Sequence, residues 1–284
     1  MIKSLFKAFR VKHYLKNIVV FIPLVFSLKF SDLKLTTLSI VAFVAFSLIA
    51  SAVYVFNDIF DAEKDKMHPI KKNRPIASGE VNVSLAWCVF VILTLFSFIL
   101  ALAINKYVFA SVFAYLLLNL LYTYKLKTTP IVDVVCIAFG FILRVLAGCG
   151  AILVAPSLLV ILLTFFTSLF FTFAKRKLEF ALIAQNNCRA SIKCYNERLL
   201  NHLVRINAIL SVVFYVAYVQ AVNANAKFLI ISAIPFAILI FRLLFLTYTS
   251  KNNDDPANFI YKDKVTKIIL LLYFVTLALV LIIH

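Results

Sequence analysis

Charged side chains are scarce in this sequence. Only 14% of positions are Asp, Glu, Lys or Arg, against 64% hydrophobic, at a mean hydropathy of +1.01. No water-soluble domain could hold that composition in solution, so lipid must be its main solvent. Cysteine is also thin. Cys88, Cys136, Cys149, Cys188 and Cys194 form no C-x-x-C pair, and the first three lie within apolar runs. This argues against a disulfide framework or a zinc site; the three read as packing residues, and Cys188 and Cys194 carry no assignment. The sequence also lacks a separate basic domain. Its net charge of +17 is spread between apolar spans rather than gathered to grip a duplex, so the expected partners are anionic lipids and phosphorylated substrates, not nucleic acid. Lys3, Lys7, Arg10, Lys12 and Lys16 ahead of an apolar run at 18–28 resemble a signal peptide. No small-residue cleavage site follows, and a longer apolar run begins at once, so this segment is read as a first membrane helix with a short apolar core.

What is present is a succession of long apolar runs. A spanning helix needs about 20 mostly apolar residues, and about nine runs meet that description: 14–30, 35–56, 83–104, 107–124, 131–151, 158–174, 199–222, 228–249 and 265–283. The expected fold is all-α, a polytopic membrane bundle forming one domain over residues 1–284. Lys and Arg concentrate at the N-terminus and in alternate connections, among them Lys71, Lys72, Arg74, Lys125, Lys127, Lys175, Arg176 and Lys177, while Lys29, Lys34, Lys106 and Lys227 lie on the opposite side. Positive loops stay in the cytoplasm, which puts the N-terminus inside; the plasma (inner) membrane is the expected location. Carboxylates follow the same asymmetry, with Asp32 alone on the other side. The positive-inside rule does not explain carboxylates; a polar site at that face would.

The second apolar run leads into Asn57-Asp58-Ile59-Phe60-Asp61-Ala62-Glu63-Lys64-Asp65. At about 100° per residue, Asp58, Asp61 and Asp65 fall within about 60° of one another on a helix, and Asn57 extends that face. Crowded carboxylates repel unless a cation sits among them. Magnesium suits the pattern, because it takes oxygen ligands and is commonly held by one or two carboxylates together with substrate phosphates. Pairing with neighbouring lysines is the plainer alternative. The chain continues His68-Pro69-Ile70-Lys71-Lys72-Asn73-Arg74-Pro75-Ile76-Ala77-Ser78-Gly79. Its prolines and glycine predict a structured loop able to bring Lys72 and Arg74 over a bound anion.

Asp133 begins the fifth run, where it could also simply balance the helix dipole. Arg144, eleven residues on, returns to nearly the same helix face. A charge so far into a span marks a polar interior or an ion pair. Lys175-Arg176-Lys177-Leu178-Glu179 follows the sixth run, and Lys16 and Asn17 open the first. Together these groups form a rim suited to a metal-bound diphosphate.

The N-D-x-x-D-x-x-x-D sequence at Asn57–Asp65 resembles the mark of the UbiA superfamily of intramembrane transferases. Further segments are similar to its polyprenyl-phosphate phosphoribosyltransferases: Arg10–Phe26, R-P-I-A-S-G ending at Gly79, Y-x-x-K-L-K-x-x-P-x-x-D from Tyr122 to Asp133, G-F-I-L-R-V-L-A-G around Arg144, and Lys175–Glu179. The resemblance implies magnesium (Mg2+) as cofactor, with Asn57, Asp58, Asp61 and Asp65 as ligands and Asp133 in the catalytic set. It implies substrate contacts from Lys16, Asn17, Lys72, Arg74, Tyr122, Lys125, Lys127, Arg144, Lys175 and Arg176. The implied reaction transfers a 5-phosphoribosyl group from phosphoribosyl diphosphate to a polyprenyl phosphate lipid, releasing diphosphate. Prenyl-diphosphate enzymes of the superfamily usually carry a paired acid one turn before the position of Asp133; Thr129 stands there. Prenyl transfer to an aromatic acceptor remains the alternative. A transporter is a third reading, against which stand acids crowded at helix mouths and the absence of a detectable repeat.

Overall fold

The computed structural model describes residues 2–69, 71–180, 195–221, 229–249 and 256–283. Cys188, Cys194, Arg189, Lys193, Lys227, Asp254 and Asp255 lie outside the described residues. Every regular element among the described residues is helical. Seven helices there are long and apolar enough to cross a membrane: Leu33–Phe60, Val83–Ile104, Lys106–Tyr124, Val132–Ala151, Leu158–Phe180, Glu197–Ala221 and Leu229–Thr249. A further apolar helix spans Lys264–Ile283. The protein is an all-α integral membrane protein. Its packing divides the chain into two compact units, Met1–Lys125 with Leu143–Pro156 and Leu126–Ile142 with Ser157–His284.

The first unit begins with α1 (Ile2–Phe9), a 3-10 segment (Val11–Phe21) and short α2 (Ile22–Phe26). The continuous helix expected at 14–30 is therefore broken. Pro23 has no N–H with which to close an α-turn on Val19, and the Ile22 N–H bonds back only three residues, to the Val19 carbonyl. A 3-10 helix turns about every three residues. That winding aligns Tyr14, Asn17, Val20 and Pro23, of which Asn17, Val20 and Pro23 are buried. The backbone of this segment lies so close to Gly148 that a Cβ there would come 2.0 Å from the Val20 carbonyl oxygen and 3.0 Å from Pro23 Cδ.

Next come α3 (Leu33–Phe60), α4 (Ala62–Lys66), a 3-10 turn (Lys71–Asn73), α5 (Val83–Ile104) and α6 (Lys106–Tyr124). Asp32, Asn82 and Asn105 cap α3, α5 and α6 by accepting from backbone N–H groups of the first turn, supplying acceptors the helix itself lacks. The core of the unit is α3, with 61% of its span buried against 11% for α5. Ala42, Ala45, Ala50 and Ala52 let neighbouring backbones approach, the usual means of packing helices where lipid is as apolar as leucine. Ser97 Oγ on α5 donates to the Ala45 carbonyl at 2.7 Å. The outer face of α5 exposes Val91, Leu95, Ile99 and Leu102, as a lipid-facing surface should. Helix α1 buries Ala8 among Val55, Ala62, Ile76, Val81 and Ala86 and leaves Phe6 exposed.

Helix α7 (Val132–Ala151) gives its first half to the second unit and its last half to the first. The second unit continues with α8 (Leu158–Phe180), α9 (Glu197–Ala221), α10 (Ala233–Thr249), α11 (Pro256–Lys262) and α12 (Lys264–Ile283). Phe170 and Phe173 of α8, Leu200 and Val204 of α9 and Ile240 of α10 meet in its core. At its edge Arg242 donates from Nε and a terminal nitrogen to Asp263 at 3.1 and 3.0 Å. Asp263 also accepts from the Thr266 N–H and hydroxyl, so one carboxylate caps α12 and ties it to α10.

Candidate active site

Asp58 ends the buried face of α3, its side chain 2% exposed. A lone carboxylate there would be prohibitively costly. Two guanidinium groups reach it: Arg10 at 2.5 Å and Arg74 at 3.2 Å, both on Oδ1. The same Arg74 nitrogen lies 2.6 Å from Asp65 Oδ2. Two carboxylates, one from α3 and one from α4, thus converge on one Arg74 nitrogen, although the single helix expected through Asp58 and Asp65 is interrupted at Asp61. Half-buried Asp61 sits between them as the C-cap of α3, and the Asn57 amide oxygen accepts from the Thr123 hydroxyl. Lys72 is exposed on the turn Lys71–Asn73, which the Lys7 ammonium holds through the Asn73 carbonyl at 2.8 Å. The His68 imidazole receives the Lys71 N–H at 3.4 Å; burial, then the Lys71 charge, pulls its pKa below the ordinary value.

Arg10 was not among the expected site residues. It occupies a left-handed position, φ 52°, where the chain leaves α1, and its guanidinium lies 4.8 Å from the centre of the Tyr54 ring. The polar face continues down α3 at helical spacing. His13 meets Tyr54 at 3.1 Å, Tyr14 meets Ser51 at 2.8 Å, and the Asn17 amide donates to Ser47 at 3.0 Å. Asn17 Oδ1 then accepts from Arg144 Nε at 2.8 Å, and Arg144 donates to the Tyr115 hydroxyl at 3.1 Å. The Arg144 guanidinium also lies 5.0 and 4.8 Å from the ring centres of Phe46 and Tyr115, contacts that favour a desolvated cation. The stripe Asp58, Tyr54, Ser51, Ser47 steps by four, three and four residues; that spacing is visible in the sequence. Lys16, beside Asn17, is exposed, as is Lys125 at the C-cap of α6; Tyr122 is half-buried.

In the second unit Asp133 and Arg176 are brought together. Their side chains are 0% and 2% exposed and 2.8 Å apart, and Arg176 also meets Glu179 at 2.6 Å. Asp133 Oδ1 is buried without a hydrogen-bond partner among the described residues. Just before α7 stands Ile131, a β-branched residue at φ 65°, a costly conformation. The Tyr195 hydroxyl accepts its N–H at 2.6 Å, which helps fix the turn that presents Asp133. Sequence reasoning missed Tyr195. The eleven-residue spacing of Asp133 and Arg144 does not make them partners: each has its own, Arg176 for one and Asn17 with Tyr115 for the other. Lys127, on the 3-10 turn Leu126–Thr128, and Lys175 on α8 are half-buried.

The donors at the head of α3 fit a hard divalent ion. They are oxygens, and two carboxylates already face one positive centre, which a guanidinium nitrogen occupies. Among the described residues no three His, Cys, Asp or Glu side chains converge closely enough to hold an ion by themselves. Magnesium commonly uses one or two carboxylates and completes its octahedron with water and substrate phosphates.

The profile of the UbiA prenyltransferase family matches residues 19–268. The decaprenyl-phosphate phosphoribosyltransferase of Mycobacterium tuberculosis is 28% identical, over 98% of this chain and 94% of its own. The enzyme of that name from Corynebacterium glutamicum is 31% identical, over 94% and 83%. Among solved structures, a UbiA homolog from Archaeoglobus fulgidus bound to DMAPP and Mg2+ matches with a TM-score of 0.74 at 17% identity, covering 99% of this chain and 100% of that one.

Proposed function

Because the chain belongs to the UbiA prenyltransferase family, we propose that it is a magnesium-dependent enzyme moving a 5-phosphoribosyl group from 5-phosphoribosyl 1-diphosphate to a polyprenyl phosphate. Diphosphate is the other product. The observation that carries the reading is the buried meeting of Asp58 and Asp65 on a single cationic atom at the end of a membrane helix, in a chain similar nearly end to end to phosphoribosyltransferases acting on decaprenyl phosphate. Lys125 and Lys127, with Thr129 in place of an acid, favour a donor bearing an additional phosphate.

Loss of diphosphate from an anomeric carbon leaves an oxocarbenium-like centre while negative charge grows on the departing group. A magnesium ion held by Asn57, Asp58, Asp61 and Asp65 would neutralise part of that growth. Arg74 stands beside the same carboxylates, and Arg74 and Lys72 are assigned to the leaving group, whose growing charge they stabilise. Lys16, Lys125, Lys127 and Lys175 are assigned to the 5-phosphate and the acceptor phosphate. Arg176 holds Asp133, and Arg144 with Asn17 and Tyr122 shapes the pocket. The acceptor is already ionised, so no strong general base is required. The site is assigned to the cytoplasmic side of the plasma membrane, with the N-terminus.

Membranes containing the protein, offered labelled phosphoribosyl diphosphate and labelled prenyl diphosphate in parallel, should move only the first label into lipid. Transfer of the second to an aromatic acceptor would establish the alternative, which the Archaeoglobus fulgidus homolog bound to DMAPP and Mg2+ keeps in view. Asp58→Asn should reduce turnover by at least about a hundredfold, the scale of losing charge stabilisation at a reacting centre; near-normal turnover in the purified variant would remove the metal role.

A further inference from the structure

We infer that Arg10 and Arg74 are resident counter-ions of the acidic cluster, which surrenders its carboxylates to a divalent ion only when a diphosphate arrives to take up the arginines. The inference rests on the reading of this cluster as the diphosphate site. Its basis is a charge balance. Asp58 and Asp65 face Arg10 and Arg74 at 2.5 to 3.2 Å, two negative groups against two positive ones. A divalent ion added alone would leave two uncompensated positive charges beside these nearly buried carboxylates, and burying unpaired charge is costly.

Geometry sharpens the point. The Arg74 nitrogen that touches both Asp58 and Asp65 fills the place between the two oxygens that an ion would need. Guanidinium and metal therefore compete for one position. Diphosphate resolves the competition, since its oxygens are bidentate partners for an arginine fork and its negative charge offsets the incoming ion. Arg74 can make that exchange because it belongs to the loop after α4, and its side chain is 27% exposed, whereas the carboxylates it leaves are 2% and 6% exposed. Arg10 is placed alike, 24% exposed at the junction between α1 and the 3-10 segment. These arginines thus act as positioning residues that make metal uptake conditional on the leaving group, so that the free enzyme holds no charged ion exposed to adventitious phosphates.

The test is manganese binding to the purified full-length protein by equilibrium dialysis, with and without inorganic diphosphate. The wild type should retain manganese weakly alone and at least about tenfold more tightly with diphosphate, a normal scale for coupling between ligands. Diphosphate could tighten any metal site, so the decisive arm is Arg74→Met without diphosphate. It should bind manganese at least about tenfold more tightly than wild type, since a competing unit charge has gone, and gain little from diphosphate; Arg74→Lys should restore weak binding. Arg10→Met supplies a second variant expected to move the same way, should Arg74→Met fail to elute as a folded species. Manganese affinity unchanged or weakened in the Met variants would overturn the exchange and leave the metal reading standing. No retained manganese in any arm, diphosphate included, would overturn both.

Discussion

Asn17 illustrates what a single residue does along the polar face of α3. Its amide donates to Ser47 and accepts from Arg144, so it joins a serine in the core to an arginine that is 5% exposed. Leucine has nearly its size and neither function. Asn17→Leu should cost about 1–3 kcal/mol, the penalty for stripping partners from buried polar groups, and lower the thermal midpoint in detergent; an unchanged midpoint would show that the link carries no load. The sequence marks Asn17, Arg144 and Asp58 as polar groups where polar groups are expensive, and these all lie in polar networks. Arg10 escapes such reading. Along the chain it is one of several cations ahead of an apolar run, and no periodicity announces a left-handed turn that carries it to a carboxylate 48 residues away. Thr123 and Tyr195 are ordinary helix and loop residues by type, and become informative only when their partners are known.

At the level of elements, long spans were legible because lipid imposes length and apolarity together; the first segment was not. Residues 14–30 are apolar enough for a helix, but Pro23 and the close passage of Gly148 select a broken one, and that choice is tertiary. Gly148→Ala tests it. A Cβ 2.0 Å from the Val20 carbonyl oxygen meets backbone that cannot swing aside, so α7 and the 3-10 segment must separate. Overpacking of this kind costs about 1–3 kcal/mol, measurable as a lower midpoint and loss of turnover together. A second element-level prediction concerns the tie between α10 and α12. The Arg242 guanidinium, with help from Thr266, holds the Asp263 pKa at about 2, below the unperturbed 3.8. A depressed carboxyl contributes stability that is complete above its unfolded value and is lost as pH falls through its folded one. Asp263→Asn should therefore lower the midpoint at neutral pH, and the difference from wild type should shrink only below about pH 4. A difference constant down to pH 2 would refute the assignment.

For the whole molecule, the proposed orientation decides which compartment supplies the donor, and α3 offers a direct way to measure it. This helix has 28 residues, about 42 Å at 1.5 Å each, longer than the hydrocarbon layer of about 30 Å, so its two ends emerge on opposite sides. Lys34 is exposed in its first turn and Glu63 is exposed just beyond its last. The excess of Lys and Arg beyond the Glu63 end, from Lys64 to Arg74, is the basis for proposing that this end is cytoplasmic. In a chain with all five cysteines replaced, a cysteine at 34 should react with a membrane-impermeant maleimide added to intact cells, whereas a cysteine at 63 should react only in inverted vesicles. A soluble sugar diphosphate made in the cytoplasm can reach Asp58 only if that pattern holds. The reverse pattern would place the acidic cluster outside the cell and remove phosphoribosyl diphosphate as donor, while leaving the helical architecture as described.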